Sequence, residues 1–187
     1  MGARHGLPPD RRLGALRHAG AVAINLSVHQ LRQKDFPDRV RQVLQRHGVP
    51  AKWLEFELTE SQAMPNHRYI EAQLHGLAAL GACIVLDGFG TGYASVAYLK
   101  QLPLHKLKIH RAFIENLVTD EVSAILVKFI LMLAQALRLE LVAGGVETDA
   151  QLSFLREHKC ATCQGWLFSS AVPAAQIDGM LAEAPAW

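Results

Sequence analysis

The chain has 187 residues, 50% of them hydrophobic and 19% charged, which suits one domain with a substantial core. A net charge of +2 is too small to mark a nucleic-acid polymer as partner, and the early arginines (Arg4, Arg11, Arg12, Arg17) read as a solvated segment. No apolar run nears the ~20 residues of a membrane span, no signal-peptide core is present, and cysteine is sparse, so the expectation is a cytoplasmic protein without a membrane partner.

Short apolar or β-branched runs recur at residues 21–26 (AVAINL), 53–58 (WLEFEL), 83–86 (CIVL), 106–109 (KLKI), 139–143 (LELVA) and 162–168 (TCQGWLF). Each is too short for a helix and reads as a buried strand. Helical patterns lie between them. Leu13 and Leu16, followed by Gly20, fit a short helix at the start. Tyr69, Ile70, Leu74, Leu77 and Ala78 share a helix face that Gly81 would end. Over 122–137, Val122, Ile125, Leu126, Phe129, Ile130, Leu133 and Leu137 also fall on one face. Thr148 and Gln151 form a capping box before Leu152 and Leu155. Cys160 and Cys163 make a C-x-x-C that suits a redox pair or half a zinc site; with no second pair it reads as two half-buried thiols. Strand–helix alternation without a linker predicts one α/β domain, 1–187, built on a parallel sheet or barrel.

The strand ends are polar where their bodies are not. They carry Asn25 and Ser27; Glu57, Thr59 and Glu60; Asp87; Lys108 and His110; Glu147, just past Gly144 and Gly145; and Gln164. In a parallel barrel these ends converge on one mouth. Asn, Asp and Glu oxygens suit Mg²⁺, Mn²⁺ or Ca²⁺, and a lysine among them can orient a water or neutralise phosphate, so the set suggests metal-assisted chemistry on a phosphate ester. Each residue also has a plainer role. Asn25 can cap a helix, Glu57 and Glu60 can be surface carboxylates at i, i+3, and Lys108 can face solvent. Glu57 sits in an apolar run, however, where burial demands a partner.

The stretches INLSVHQL (24–31), LEFELTES (54–61), LDGFGTGYASVAYLKQLPLHKLKIHRAFI (86–114), VAGGVETDAQLSFL (142–155) and CQGWLFSSAVP (163–173) are similar, in order and spacing, to successive blocks of the EAL domain family. The resemblance implies a modified (β/α)₈ barrel, here an incomplete TIM-like barrel of about six parallel strands, and hydrolysis of cyclic di-GMP to linear pGpG with two Mg²⁺ or Mn²⁺ ions. By position, Asn25, Glu57 and Asp87 resemble metal ligands, and Lys108 resembles the lysine that assists the attacking water. Glu60 resembles the glutamate bracing the loop after the Asp87 strand. Glu147 and Gln164 resemble further active-site positions, and Gly90, Thr91 and Gly92 resemble the loop that couples the site to the family's dimer interface.

Departures from the family pattern set further expectations. The match opens at residue 21, after the place of the Glu-Ala-Leu motif, so the first two strands, an early metal-binding glutamate and a phosphate-binding arginine are expected to be missing. Gly88 replaces a second aspartate, His110 replaces the aspartate of Lys-Ile-Asp, and Gly144 replaces a glutamate. Two close divalent cations need several carboxylates. The expectation is therefore a degenerate member with no bound metal, inactive in hydrolysis and acting by binding cyclic di-GMP, a protein partner or a second copy. The alternative is a weak metal-dependent phosphodiesterase. Residues 1–20 are expected to cover a bare sheet edge, or two chains to associate there.

Overall fold

A computed structural model describes residues 21–63, 67–92 and 95–183. The short helix expected around Leu13 and Leu16, and the edge cover expected from it, lie outside the described residues. Strand and helix alternate: β1 Val22–Asn25, α1 Val28–Leu31, α2 Phe36–His47, β2 Leu54–Thr59, α3 Glu60–Ala63, α4 His67–Ala79, β3 Cys83–Phe89, α5 Val96–Leu99, β4 Lys106–Ile109, α6 Arg111–Glu115, α7 Glu121–Leu137, β5 Glu140–Gly144, α8 Asp149–Glu157, β6 Thr162–Gln164 and α9 Ala174–Glu183. The six described strands form one parallel sheet in chain order, curled into a half-barrel.

The register explains which side chains meet. Paired residues of a parallel sheet face the same way, and faces alternate along each strand. Leu58, Leu86, Leu107 and Leu141 make one continuous row on the outer face, all buried beneath the helices. Asn25, Glu57, Val85, Lys106 and Glu140 make a row on the concave face. The apolar strand bodies are therefore the outer face, and the polar letters interleaved with them are the inner one.

One irregularity interrupts this alternation. Leu86 pairs with Leu107 but Phe89 pairs with Ile109, so Asp87 and Gly88 together stand opposite Lys108. This bulge returns Phe89 to the core and places two consecutive residues at the mouth. Gly88 takes φ 74°, a left-handed value that suits glycine at this corner.

Local signals account for the helix ends. Thr148 and Gln151 form the expected capping box, and Gly81 closes the α4 region at φ 92°. Ser27, rather than Asn25, caps α1, in a second capping box with Gln30. The run expected as a strand to residue 168 ends at Gln164. Gly165 passes so close to Val146 that an added Cβ would strike the Val146 carbonyl oxygen and amide. The chain then turns, with the Val146 N–H donating to Gln164 O at 3.0 Å and the Leu167 N–H donating to Val146 O at 3.1 Å.

α7 has an unexpected orientation. Its buried side is Ser123, Val127, Ile130, Leu131 and Ala134. Of the stripe read from periodicity, Val122, Ile125, Leu126 and Phe129 are exposed, as is Met132 beside them. Ile130 is buried, and Leu133 and Leu137 pack partly against the core. Among the described residues, no helix is long and apolar enough to cross a membrane.

Candidate functional site

The concave face carries two rungs of ion pairs. At the upper rung, Lys108 Nζ donates to both carboxylate oxygens of Glu57, at 3.1 and 3.3 Å. Glu57 is only 7% exposed, so this is the partner its burial requires. Lys108 faces inward, not toward solvent. At the lower rung, Lys106 Nζ donates to Glu55 Oε1 at 2.7 Å and lies 3.3 Å from Glu140 Oε2, while Thr162 Oγ1 donates to Glu140 Oε1 at 2.9 Å. Burial alone would lower the Lys106 pKa; the hydrogen bond and charge of Glu55, with Glu140, more than offset that and hold it above the ordinary lysine value. Burial, aided by the Glu55 charge, pushes the neighbouring Cys83 thiol up to about 11. Sequence reasoning missed this lower rung, although LEFEL and KLKI both show charges at i, i+2, the spacing that puts them on one strand face.

The loop after β3 is fixed from below. Glu60 is buried and its Oε2 accepts the Gly92 N–H at 3.0 Å. A Cβ on Gly92 would stand 2.8 Å from Glu60 Cδ, so any side chain there would push the carboxylate away from this contact. Thr91 Oγ1 donates to Gly88 O at 3.0 Å, and Gly90 turns at φ 102° against Phe113. His110 caps α6: its Nδ1 accepts the Ala112 N–H at 3.3 Å, and its ring meets Phe113 edge-on.

A cleft of about 700 Å³ opens at the strand ends, and Asp87, Gly88, Lys108, Gly144, Glu147 and Gln164 are among its lining residues. Arg111 and Trp166, the latter 75% exposed, extend that lining. Asn25 and Glu57 sit beside it on β1 and β2, outside the lining. Glu147 is exposed, and its backbone N–H donates to Gln151 Oε1 at 2.8 Å. A larger cleft of about 1070 Å³ lies along the other side of β6 and has no carboxylate among its described lining residues. It is the poorer candidate for holding a divalent cation.

The donor set among the described residues does not make up a site for a pair of divalent cations. Among the described residues, no three His, Cys, Asp or Glu side chains converge to hold a metal. Both Glu57 oxygens are taken by Lys108, while Gly88 and Gly144 bring no ligand atom to the mouth. What the cleft offers is a mixed-charge lining, with Arg111 and the Glu57-paired Lys108 alongside Asp87 and Glu147, beside an exposed indole able to stack a planar base.

Comparisons with known proteins agree with this architecture. A model of the EAL domain family matches residues 10–171. The chain is 40% identical to the cyclic di-GMP phosphodiesterase NbdA of Pseudomonas aeruginosa, over 91% of this chain and 22% of that protein. It therefore spans about a fifth of the length of such curated relatives. Among solved structures, the MucR phosphodiesterase of P. aeruginosa in complex with cyclic di-GMP superposes with a TM-score of 0.83 at 41% identity, covering 88% of this chain and 67% of that one. The EAL domain of Mycobacterium smegmatis DcpA gives the same TM-score at 32% identity, over 89% of this chain and 74% of that one.

Proposed function

The chain belongs to the EAL domain family, and from that premise we propose that it is a degenerate member that binds cyclic di-GMP without hydrolysing it and signals through protein contact. The observation carrying this reading is the upper rung. Lys108 satisfies Glu57 directly, and glycines stand at positions 88 and 144, where the resemblance leads one to expect carboxylates. An ammonium held against a carboxylate neutralises the charge that would attract a cation. Binding needs less than hydrolysis: cationic groups for phosphate and an apolar face for a base. Arg111 and Trp166 supply those at the cleft, where Lys108 is shared with Glu57.

Support for the ligand comes from the relatives, one named a cyclic di-GMP phosphodiesterase and another solved with cyclic di-GMP. The exposed apolar stripe of α7 supports protein contact, with a second copy as the simplest partner. The competing reading, a weak phosphodiesterase releasing pGpG, draws on Asp87 and Lys108 lining one cleft.

Calorimetric titration with cyclic di-GMP in the presence of Ca²⁺ is expected to give micromolar binding. Chromatography after long incubation with Mn²⁺ is expected to show no pGpG, with a competent relative as control. Absence of heat at high concentration sinks the nucleotide reading, and accumulation of pGpG sinks the loss of hydrolysis.

A further inference from the structure

The cleft along β6 holds the C-x-x-C that the sequence left as two unremarkable thiols. Cys160 sits where the chain enters β6, just after Lys159 turns at φ 61°, and is 6% exposed. Its Sγ lies 3.5 Å from Thr162 O and 4.0 Å from Leu141 O. Cys163 pairs in register with Ala143 on β5 and is half-buried. Both cysteines line the cleft of about 1070 Å³, together with Arg156 and Lys159. Two thiols three residues apart on one cationic cleft, Cys163 half-buried and Cys160 almost fully buried, have the layout of an attacking and a resolving thiol.

We propose that Cys160 and Cys163 form a redox-active dithiol that reacts with low-molecular-weight disulfides. The Cys163 thiolate attacks one sulfur of the disulfide RSSR, forming a mixed disulfide and releasing RS⁻. That thiolate takes the Cys160 proton. Cys160 then attacks Cys163 Sγ, closing the protein disulfide and releasing the second RS⁻, which is protonated by the proton Cys163 gave up. Overall, two protein thiols and RSSR become one protein disulfide and two RSH.

The division of labour follows from the surroundings. The hydrogen bond from Cys160 lowers the Cys163 thiol, with the Arg156 charge assisting against burial. The same contact, with burial, raises Cys160. Cys83, held up at about 11 beside Glu55, is the unreactive internal control.

Glutathione disulfide is the probe. The reduced 187-residue chain is exposed to it, quenched with an alkylating agent and mapped by peptide mass. The expected product is a Cys160–Cys163 disulfide two hydrogens lighter than the dithiol, with Cys83 alkylated. Cys160→Ser is expected to stop at a glutathione adduct on Cys163, with Cys163 modified at least about tenfold faster than Cys83. The proposal is overturned if Cys160 and Cys163 both remain alkylatable in the unsubstituted chain, or if Cys83 takes the adduct first. Mapping the unsubstituted chain decides the matter even if the variant fails to fold.

Discussion

A carboxylate or an ammonium taken out of water alone costs several kcal/mol, so a buried pair is best judged by what happens when one partner is removed. Glu57 and Lys108 are such a pair, with side chains 9% and 15% exposed. Glu57→Gln is expected to destabilise the fold by about 2–4 kcal/mol, because it strands the ammonium, and Lys108→Met by a similar amount. The double variant should lose much less than the sum, and urea unfolding of all four proteins measures that coupling. Additive losses would show that the pair is incidental. The need for a Glu57 partner was legible in its apolar run; the partner's identity was not, since Lys108 lies 51 residues away and only the register of three strands brings them together. The roles of Gly92 and Gly165 were hidden for the same reason: each is explained by a distant neighbour, Glu60 or Val146.

Among the elements, α7 shows what periodicity can and cannot decide. The helix was legible over almost its whole length, but it is apolar on two sides and the pattern does not say which side packs. The strands met their expected places because their outer faces are continuous with the core, whereas β6 was read too long because only the Val146 backbone reveals the turn at Gly165. The start of α7 carries a pH-dependent contribution. Asp120 Oδ2 accepts the Ser123 hydroxyl at 2.7 Å and the Ser123 N–H at 2.8 Å. These bonds, the hydroxyl first, hold its carboxyl below the ordinary value of 3.8. Since the folded pKa is depressed, the contribution is full above the unfolded value and is lost as pH falls through the folded one. Asp120→Ala should therefore lower the thermal midpoint near neutrality, and the gap to the unsubstituted chain should close under acid. A gap that persisted unchanged below the folded pKa would mean that the carboxylate is not the source.

For the molecule as a whole, the outward stripe of Val122, Ile125, Phe129 and Met132 bears on assembly. These side chains lie at i, i+3, i+7 and i+10, a strip that a second copy could meet across a two-fold axis. Lys128 stays off this strip, its Nζ 5.5 Å from the ring centre of Phe154. Ile125→Asp with Phe129→Asp is expected to turn a dimer into a monomer in sedimentation velocity, with helical content unchanged because neither residue contributes to the core. A monomeric unsubstituted chain would remove α7 as a self-association face. The sheet itself has a mechanical side. Glu55 and Glu57 on β2 reach over β3 to Lys106 and Lys108 on β4, with Val85 buried beneath them. Strands two apart in a flat sheet are about 9.5 Å from each other, a span these side chains close most easily when the sheet bends inward. The two rungs thus act like hoops around staves, tying β2 to β4 across the curve of the half-barrel. Added salt slackens such hoops only slightly, because the pairs are sheltered from solvent, so the curvature should endure in brine that dissolves the looser charge pairs outside.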